Sequence, residues 1–562
     1  MEENNNEKVT NEVIEEKPVV EEQDVVTSTT SVTEQNNSVN EKKKSKMPFI
    51  IIGAILLVGI IVLVCFLLLG GGGEKKNNDK KDDNGGTIVT PTDQKASPFR
   101  LSGNGLENFD LEFLKLEDNG KNIVYSPLSI KYMLAMLNEG TEGNSNAQIE
   151  ALIGDYKPNK YTNSSNMSLA NVMFVRNSFK DKVKQTYADV LKEKYNADVV
   201  YDEFKNPDNV NKWVSDKTFG LIDKFLDKVD EIDLFYVINS LAIDMDWYSN
   251  FIPEFKRGYI GYASYDHTNF HWATNNIPQP FENLDERVDA MDVGASFAKY
   301  DVIKENGGED AYRKKVNDWL VNCVKEYGED IPMLSDEFIQ SETNSVVKAM
   351  KEMYGKEALS TDFSFYVDDD IKVFAKDLKE YNGKTLQYIG FMPVNENLDT
   401  FVKNIDAKKL TEYIGKLKEV KSSNFKDGEN VIITGYIPKF KYEYELNFKE
   451  DLKKLGVEDI FDPKLANLSK ITDENVFINK AIHKATIYFN QDGIKASATT
   501  LGGGAGNANG PCHYVEDLPI TRIDISFNKP YMYIVRDKST GEVWFTGSVY
   551  QPLKWNEVEN QQ

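Results

Sequence analysis

The run Met47–Leu69, MPFIIIGAILLVGIIVLVCFLLL, carries no charged side chain in 23 residues. At ~1.5 Å rise per residue, a helix of that length crosses a ~30 Å hydrocarbon layer. A helix buried in a soluble core is the alternative, but such a helix has no need of so long an uncharged run. A cleaved signal peptide does not fit either: the charged stretch before the run is too long, and no small-residue cleavage site follows. Val-Leu-Val before Cys65 lacks the small residue expected ahead of a lipoprotein cysteine, so Cys65 reads as a small hydrophobe within the span. Lys42, Lys43, Lys44 and Lys46 flank the N-terminal side. The positive-inside rule then places residues 1–46 in the cytoplasm and everything after Leu69 outside the cell.

The span divides the chain. Residues 1–46 hold eleven acids, six lysines and no apolar periodicity, a composition that cannot offset its ordering entropy and predicts a disordered tail. Residues 70–96 open with four glycines, carry five acids and five bases, and read as a flexible linker. Residues 97–562 are left outside the membrane. With 66 Lys+Arg against 90 Asp+Glu, the formal net charge is −24, which argues against nucleic acid as a partner because phosphate binding needs a basic surface. Thirty Phe and 28 Tyr are enough for a sizeable core. The three cysteines, Cys65, Cys323 and Cys512, lie far apart and suggest neither a disulfide framework nor a CxxC metal site. Four histidines make a histidine-rich metal centre unexpected, and no cofactor is expected.

Both periodicities occur in the domain. Apolar spacings of three and four predict helices over Leu128–Leu137, Ile149–Ile153 and Asn211–Val229. Strands are predicted over Phe235–Ile243, Leu386–Met392, Val431–Tyr436, Ala485–Phe489, Tyr531–Val535 and Trp544–Val549. Helices dominate early and strands late, which indicates an α+β fold.

Six blocks in order resemble the serpin family. They are Asn122-Ile-Val-Tyr-Ser126-Pro127-Leu-Ser-Ile130 with Glu139-Gly140-Thr-Glu-Gly143; Asn211-Lys-Trp213-Val214 with Thr218, Gly220 and Ile222; Val237-Ile-Asn239 with Trp247 and Phe251; Pro438-Lys-Phe440 with Leu452, Leu455-Gly456 and Phe461; His483-Lys484-Ala485 with Gly493; and Phe527-Asn-Lys-Pro530-Tyr-Met-Tyr with Phe545-Thr-Gly547-Ser-Val549 and Pro552. Trp213, Trp247, Phe251 and Phe440 read as core packing whatever the activity. The resemblance covers about 97–557 and implies a serpin-like domain there, with a large mixed or antiparallel sheet, further sheets, about nine helices and an exposed reactive loop. It also implies a suicide substrate and not an enzyme: a protease, serine-type or cysteine-type, is acylated on the loop, and the severed loop inserts into the sheet as a new strand.

The loop sequence can be read against that demand. Successive residues of a strand face opposite sides, so after Gly493 the residues Ile494, Ala496, Ala498 and Thr500 would face the core, with Lys495, Ser497 and Thr499 toward water. No proline interrupts the run, so every N–H can join a ladder. Against this, Ile494 stands where the family has a small hydroxyl residue, Gln491 where it often has an acid, and Gly502–Gly504 and Gly506 have poor strand propensity. The resemblance makes Ser126, Asn239 and His483 a polar cluster under the sheet centre. Ser126 as a nucleophile with His483 as its base is rejected, because Pro127 follows and no small-residue turn surrounds the serine. Counting forward from Gly493, the family places the cleaved bond at Asn507–Ala508. Counting back from Phe527 gives Leu518–Arg522, with Arg522 the runner-up. The loop is about a dozen residues longer than is usual in the family, and the extra residues are expected around Gly510–Leu518.

Other features are weaker. A stretch at about 301–365 looks like an insertion, with Val316, Trp319, Leu320 and Cys323 at helical spacing. It predicts a helical hairpin packed on the side of the domain, with Cys323 a packed thiol. Asp266-His267 and His271 have an i,i+4 spacing, but their neighbours suggest a loop, so no metal is expected there. Gly502-Gly-Gly-Ala-Gly lacks the Gly-Lys-Ser/Thr of a phosphate loop. Cys512, next to His513, is expected to be a free, oxidisable thiol. The sequence therefore points to a membrane-tethered, extracellular serpin-like inhibitor of a protease. A non-inhibitory binding module on the same fold is the alternative.

Overall fold

The computed structural model describes residues 97–249, 251, 279–327, 334–359, 362–491, 493–494, 512 and 514–555. The expected membrane span 47–69, the tail before it and the linker 70–96 lie outside these residues. Among the described residues no helix is long and apolar enough to cross a membrane.

The architecture is α+β. The largest sheet has seven antiparallel strands in the order β1 (Ile123–Tyr125), β18 (Val543–Val549), β17 (Tyr531–Asp537), β10 (Leu386–Pro393), β9 (Ile371–Asp377), β8 (Ser364–Val367) and β11 (Lys418–Glu419). A four-stranded sheet runs β16 (Ile520–Asp524), β12 (Asn430–Pro438), β6 (Ala290–Phe297) and β7 (Glu357–Leu359), with β16 parallel to β12. A third sheet is β3 (Ala197–Asp202), β2 (Met167–Arg176) and β4 (Phe235–Ile243). Strands β13 (Phe440–Glu445) and β14 (Lys484–Phe489) form a separate antiparallel pair. Each expected strand is present.

Aromatic packing ties the β13–β14 pair to the seven-stranded sheet. Phe440 and Phe489 stack at 4.7 Å, Tyr388 lies 4.4 Å from Phe489, and Tyr533 lies 5.2 Å from Phe440. Each such pair adds ~0.5–1.5 kcal/mol beyond the area it buries. Trp247, Phe251 and Phe440 are buried as expected, and Trp213 is half-buried against Phe174.

The helix expected over Leu128–Leu137 spans Pro127–Gly140. Ser126 caps it, its Oγ accepting the Ser129 N–H at 3.0 Å, and Pro127 at the first position has a preset φ. The helix expected over Asn211–Val229 stops at Lys217. Phe219 and Gly220 take positive φ, which ends it. Ile222 and Leu226 are buried all the same, in a non-helical segment. Eleven α-helices occur among the described residues, more than the nine or so expected, because the stretch at 301–365 supplies Val302–Glu305, Glu309–Tyr327 and Asp336–Met353.

Candidate functional site

The strands β4 and β14 belong to different sheets, and no ladder joins them. Between them lies an apolar gap. Leu241, Ala242 and Ile243 of β4 and Thr486, Ile487 and Tyr488 of β14 line a cavity of about 200 Å³, with Phe545 also in its wall. Further along β4, Phe235–Asn239 and Ile482–His483 line a second cavity of about 320 Å³, with Met133 and Phe225. Both flanking strands are sheet edges, which offer backbone groups that a strand can pair with. The segment after Lys217 also lines the gap through Thr218, Leu221 and Ile222, and the Lys224 carbonyl accepts from Lys484 Nζ at 2.9 Å. Periodicity identifies each strand but says nothing about which neighbours pair, so the parted sheet was not legible in the sequence.

The hinge enters the mouth of this gap. Gly493–Ile494 (β15) pairs antiparallel with Met245–Asp246 (β5), the continuation of β4. Asn490 fixes the turn: its N–H donates to the Gly493 carbonyl and its Oδ1 accepts the Gly493 N–H, each at 3.2 Å. The Asn490 carbonyl takes the Trp247 indole N–H at 2.9 Å. A side chain at 493 would collide with the Met245 carbonyl and would lie 2.7 Å from Asp246 Cα, so only glycine fits. The remaining expected hinge positions, Ala496, Ala498 and Thr500, lie outside the described residues, as do Asn507, Ala508, His267, His271 and His513. Gln491 is buried, and its backbone carbonyl accepts the Phe251 N–H at 3.2 Å. Lys439, between β12 and β13, pairs with Asp289 at 3.0 Å.

Ser126, Asn239 and His483 lie close together beside the gap. His483 Nε2 accepts the Ser126 backbone N–H at 3.0 Å, and the Asn239 carbonyl accepts from Ser129 Oγ at 3.4 Å. Asn239 Nδ2 donates to Asn171 Oδ1 at 2.7 Å, tying β4 to β2. Ser126 Oγ is occupied by the helix cap, and His483 meets the serine only at its backbone, so the pair is not a nucleophile with its base. Burial pushes the His483 imidazole down to about 3 from its ordinary 6.5. The unfolded chain therefore binds a proton between these values that the folded chain does not. Stability is full above pH 6.5 and falls as the pH drops toward 3, by ~1.4 kcal/mol per unit at most. His483→Gln keeps an acceptor for Ser126, and it is expected to flatten the loss of urea midpoint between pH 6.5 and 4. An unchanged slope would rule out His483 as its source.

The far end of the loop corrects the expectation for the cysteines. Cys323 is not a packed thiol and Cys512 is not free: they form a disulfide, with Cα atoms 5.7 Å apart across 189 residues of sequence. Such a separation leaves no spacing signature. The bond exists because the insertion folds beside the segment that follows the loop. The insertion is helical, as expected, with two long helices, Glu309–Tyr327 and Asp336–Met353, but it is not merely packed on the side of the domain. Its Tyr312, Val316, Leu320, Val347 and Met350 share a core with Ile432, Tyr514 and Leu518. Arg522, the runner-up position, lies within β16 opposite Ile432. Of the stretch Gly510–Leu518, expected to hold the extra loop residues, the described part is packed on this insertion.

The site is thus a gap flanked by two strand edges, with Gly493–Ile494 paired to β5 at its mouth. The model of the family described as serpin (serine protease inhibitor) matches residues 109–259 and 333–552, so the chain belongs to the serpin family, whose members are generally protease inhibitors and not catalysts. It is similar over 459 residues, at 23% identity, to neuroserpin of Mus musculus, covering 78% of this chain and 87% of that one. To leukocyte elastase inhibitor of Homo sapiens it is 22% identical over 467 residues, covering 78% and 96%. The solved native state of tengpin, a thermophilic serpin, superposes with a TM-score of 0.53 at 21% identity, covering 80% of this chain and 93% of that one. The family match omits 260–332, which includes the whole of the first long insertion helix.

Proposed function

We propose that this protein traps proteases as a suicide substrate, its cleaved loop entering the gap between β4 and β14. The observation that carries the reading is the hinge: Gly493–Ile494 is already paired antiparallel to β5, in the direction an entering strand must run. The attacking residue of a serine or cysteine protease adds to the carbonyl of the scissile residue. The amide bond to the next residue breaks, the new amine leaves with a proton, and the protease stays as an ester or thioester on the shortened loop. Insertion pairs both orphan strand edges, and the favourable free energy of that pairing drives the step. The scissile bond is proposed at Asn507–Ala508. Fourteen residues beyond Gly493 make a strand of ~46 Å at ~3.3 Å per residue. A bond at Arg522 would instead lie in β16, paired with β12 and closed to a protease cleft that needs an extended, free chain. The test is incubation with a serine-protease panel, read on denaturing gels. A complex stable to denaturant is expected, and clean turnover of the loop with every protease would favour the passive binding module.

The inhibitor is proposed to work outside the cell, tethered by residues 47–69. The motive is the lysine cluster before an uncharged span, and a disulfide fits an oxidising compartment. Protease added to intact cells is expected to remove the domain and leave the N-terminal tail protected. A degraded tail with an intact external domain would reverse the orientation.

A further inference from the structure

The segment after the loop is docked at alternate residues. Cys512, Tyr514, Glu516 and Leu518 are all buried, whereas Asp517 and Pro519 are exposed. Each buried side chain meets the insertion. Cys512 is bonded to Cys323 on the helix Glu309–Tyr327, Tyr514 packs edge-on against Trp319 at 5.4 Å, and Glu516 receives Lys315 Nζ at 2.9 Å. Tyr514 also donates its hydroxyl to Glu516 Oε2 at 2.8 Å, and Leu518 joins the core around Val316 and Leu320. The Pro519 carbonyl then accepts the Asn430 N–H at 2.9 Å, and β16 begins. The chain is thus held at Gly493–Ile494 on one side of the loop and at Cys512 on the other.

From this we infer that Cys323–Cys512 is a positioning bond for the trapping reaction. It clamps the chain from Cys512 onward to the insertion, so attack is confined to residues between Ile494 and Cys512. It also keeps the departing strand on the inhibitor. When the bond after Asn507 breaks, its carbonyl becomes the ester and the amine of Ala508 becomes a new N-terminus. The fragment 508–562 then stays covalently attached through Cys512. A noncovalent contact could let this end peel back under the pull of the inserting strand, but a disulfide cannot. This role in trapping rests on the inhibitory reading, whereas the confinement of cutting does not.

The experiment uses the full-length chain, produced under oxidising conditions in detergent and cut with limiting elastase-type protease. Cut sites are mapped by mass spectrometry, and products are run with and without dithiothreitol. In the wild type, every cut between Phe489 and Ile520 is expected within 495–511, cuts in the linker 70–96 being separate, and the C-terminal fragment should separate only after reduction. Any covalent complex should carry the mass of the protease plus the whole chain until reduced. In Cys512→Ser, in Cys323→Ser and in wild type treated with dithiothreitol before cutting, new cuts are expected within 512–519, and the trapped fraction should fall several-fold. A fragment released without reductant, or a cut map unchanged in both variants and after reduction, overturns the proposal. Wild type cut within 495–511 with the fragment retained but with no covalent complex sustains the clamp and refutes inhibition instead.

Discussion

Ala496→Arg, and separately Ala498→Arg, is expected to turn the protein from a trap into a substrate. Both positions fall on the face of the loop that alternation directs toward the core once Ile494 enters the gap. Beside β4 residues 241–243 that gap is walled by Leu241, Ile243, Ile487 and Phe545, with no carboxylate among the described residues lining this cavity to meet a guanidinium. Burying the charge there without a partner costs several kcal/mol. At ~1.4 kcal/mol per tenfold, a penalty of ~3–4 kcal/mol on insertion shifts the partition between trapping and release by two to three orders of magnitude. The loop is still cut, because the protease reads it before insertion. On a denaturing gel, the covalent band should vanish while the cleaved band grows. Nicking is expected to raise the heat stability of the wild type, because the loop inserts, and to leave that of both variants unchanged. Undiminished complex formation by both would show that the inward face is misassigned.

The second large effect concerns the frame that holds the site. Lys131, on the helix capped by Ser126, and Asp110, on Phe109–Glu117, form an ion pair at 2.5 Å with both side chains fully buried. Burial holds the Asp110 carboxyl above its usual range, outweighing the lysine charge beside it. Lys131→Met would strand that carboxylate in the core, and it is expected to lower stability by ~3–5 kcal/mol in urea unfolding at neutral pH. Asp110→Leu combined with Lys131→Met should recover most of the loss, because no unpaired charge then remains. A single variant within ~0.5 kcal/mol of wild type would mean that the pair is not buried as described.

Some of this architecture was legible from local pattern. Ser126-Pro127 announces a capped helix because a hydroxyl and a preset φ act within one turn. The strand over Phe235–Ile243 is legible because a dense β-branched and aromatic run suits a strand with both faces covered. The hinge glycine was found from the resemblance, and the structure supplies its reason in the close approach of Met245 and Asp246. The helix over Asn211–Val229 was overextended because Ile222 and Phe225 keep a helix-like spacing after Phe219 has left helical φ. Burial against the gap, and not a helix face, accounts for those apolar residues.

Residue order alone settles what acts over a few residues: the capped helix, the strands, the proline-free small-residue run after Gly493 and the uncharged stretch at 47–69. The tertiary structure alone decided what joins distant parts of the chain. It parts β4 from β14, brings Ser126 to His483 across 357 residues, and closes Cys323 on Cys512 across 189. Periodicity is a local property that reports which face of an element is buried, whereas pairing depends on which element arrives beside it. Two cysteines in sequence are therefore only two thiols until the insertion folds against the end of the loop and brings their Cα atoms to 5.7 Å.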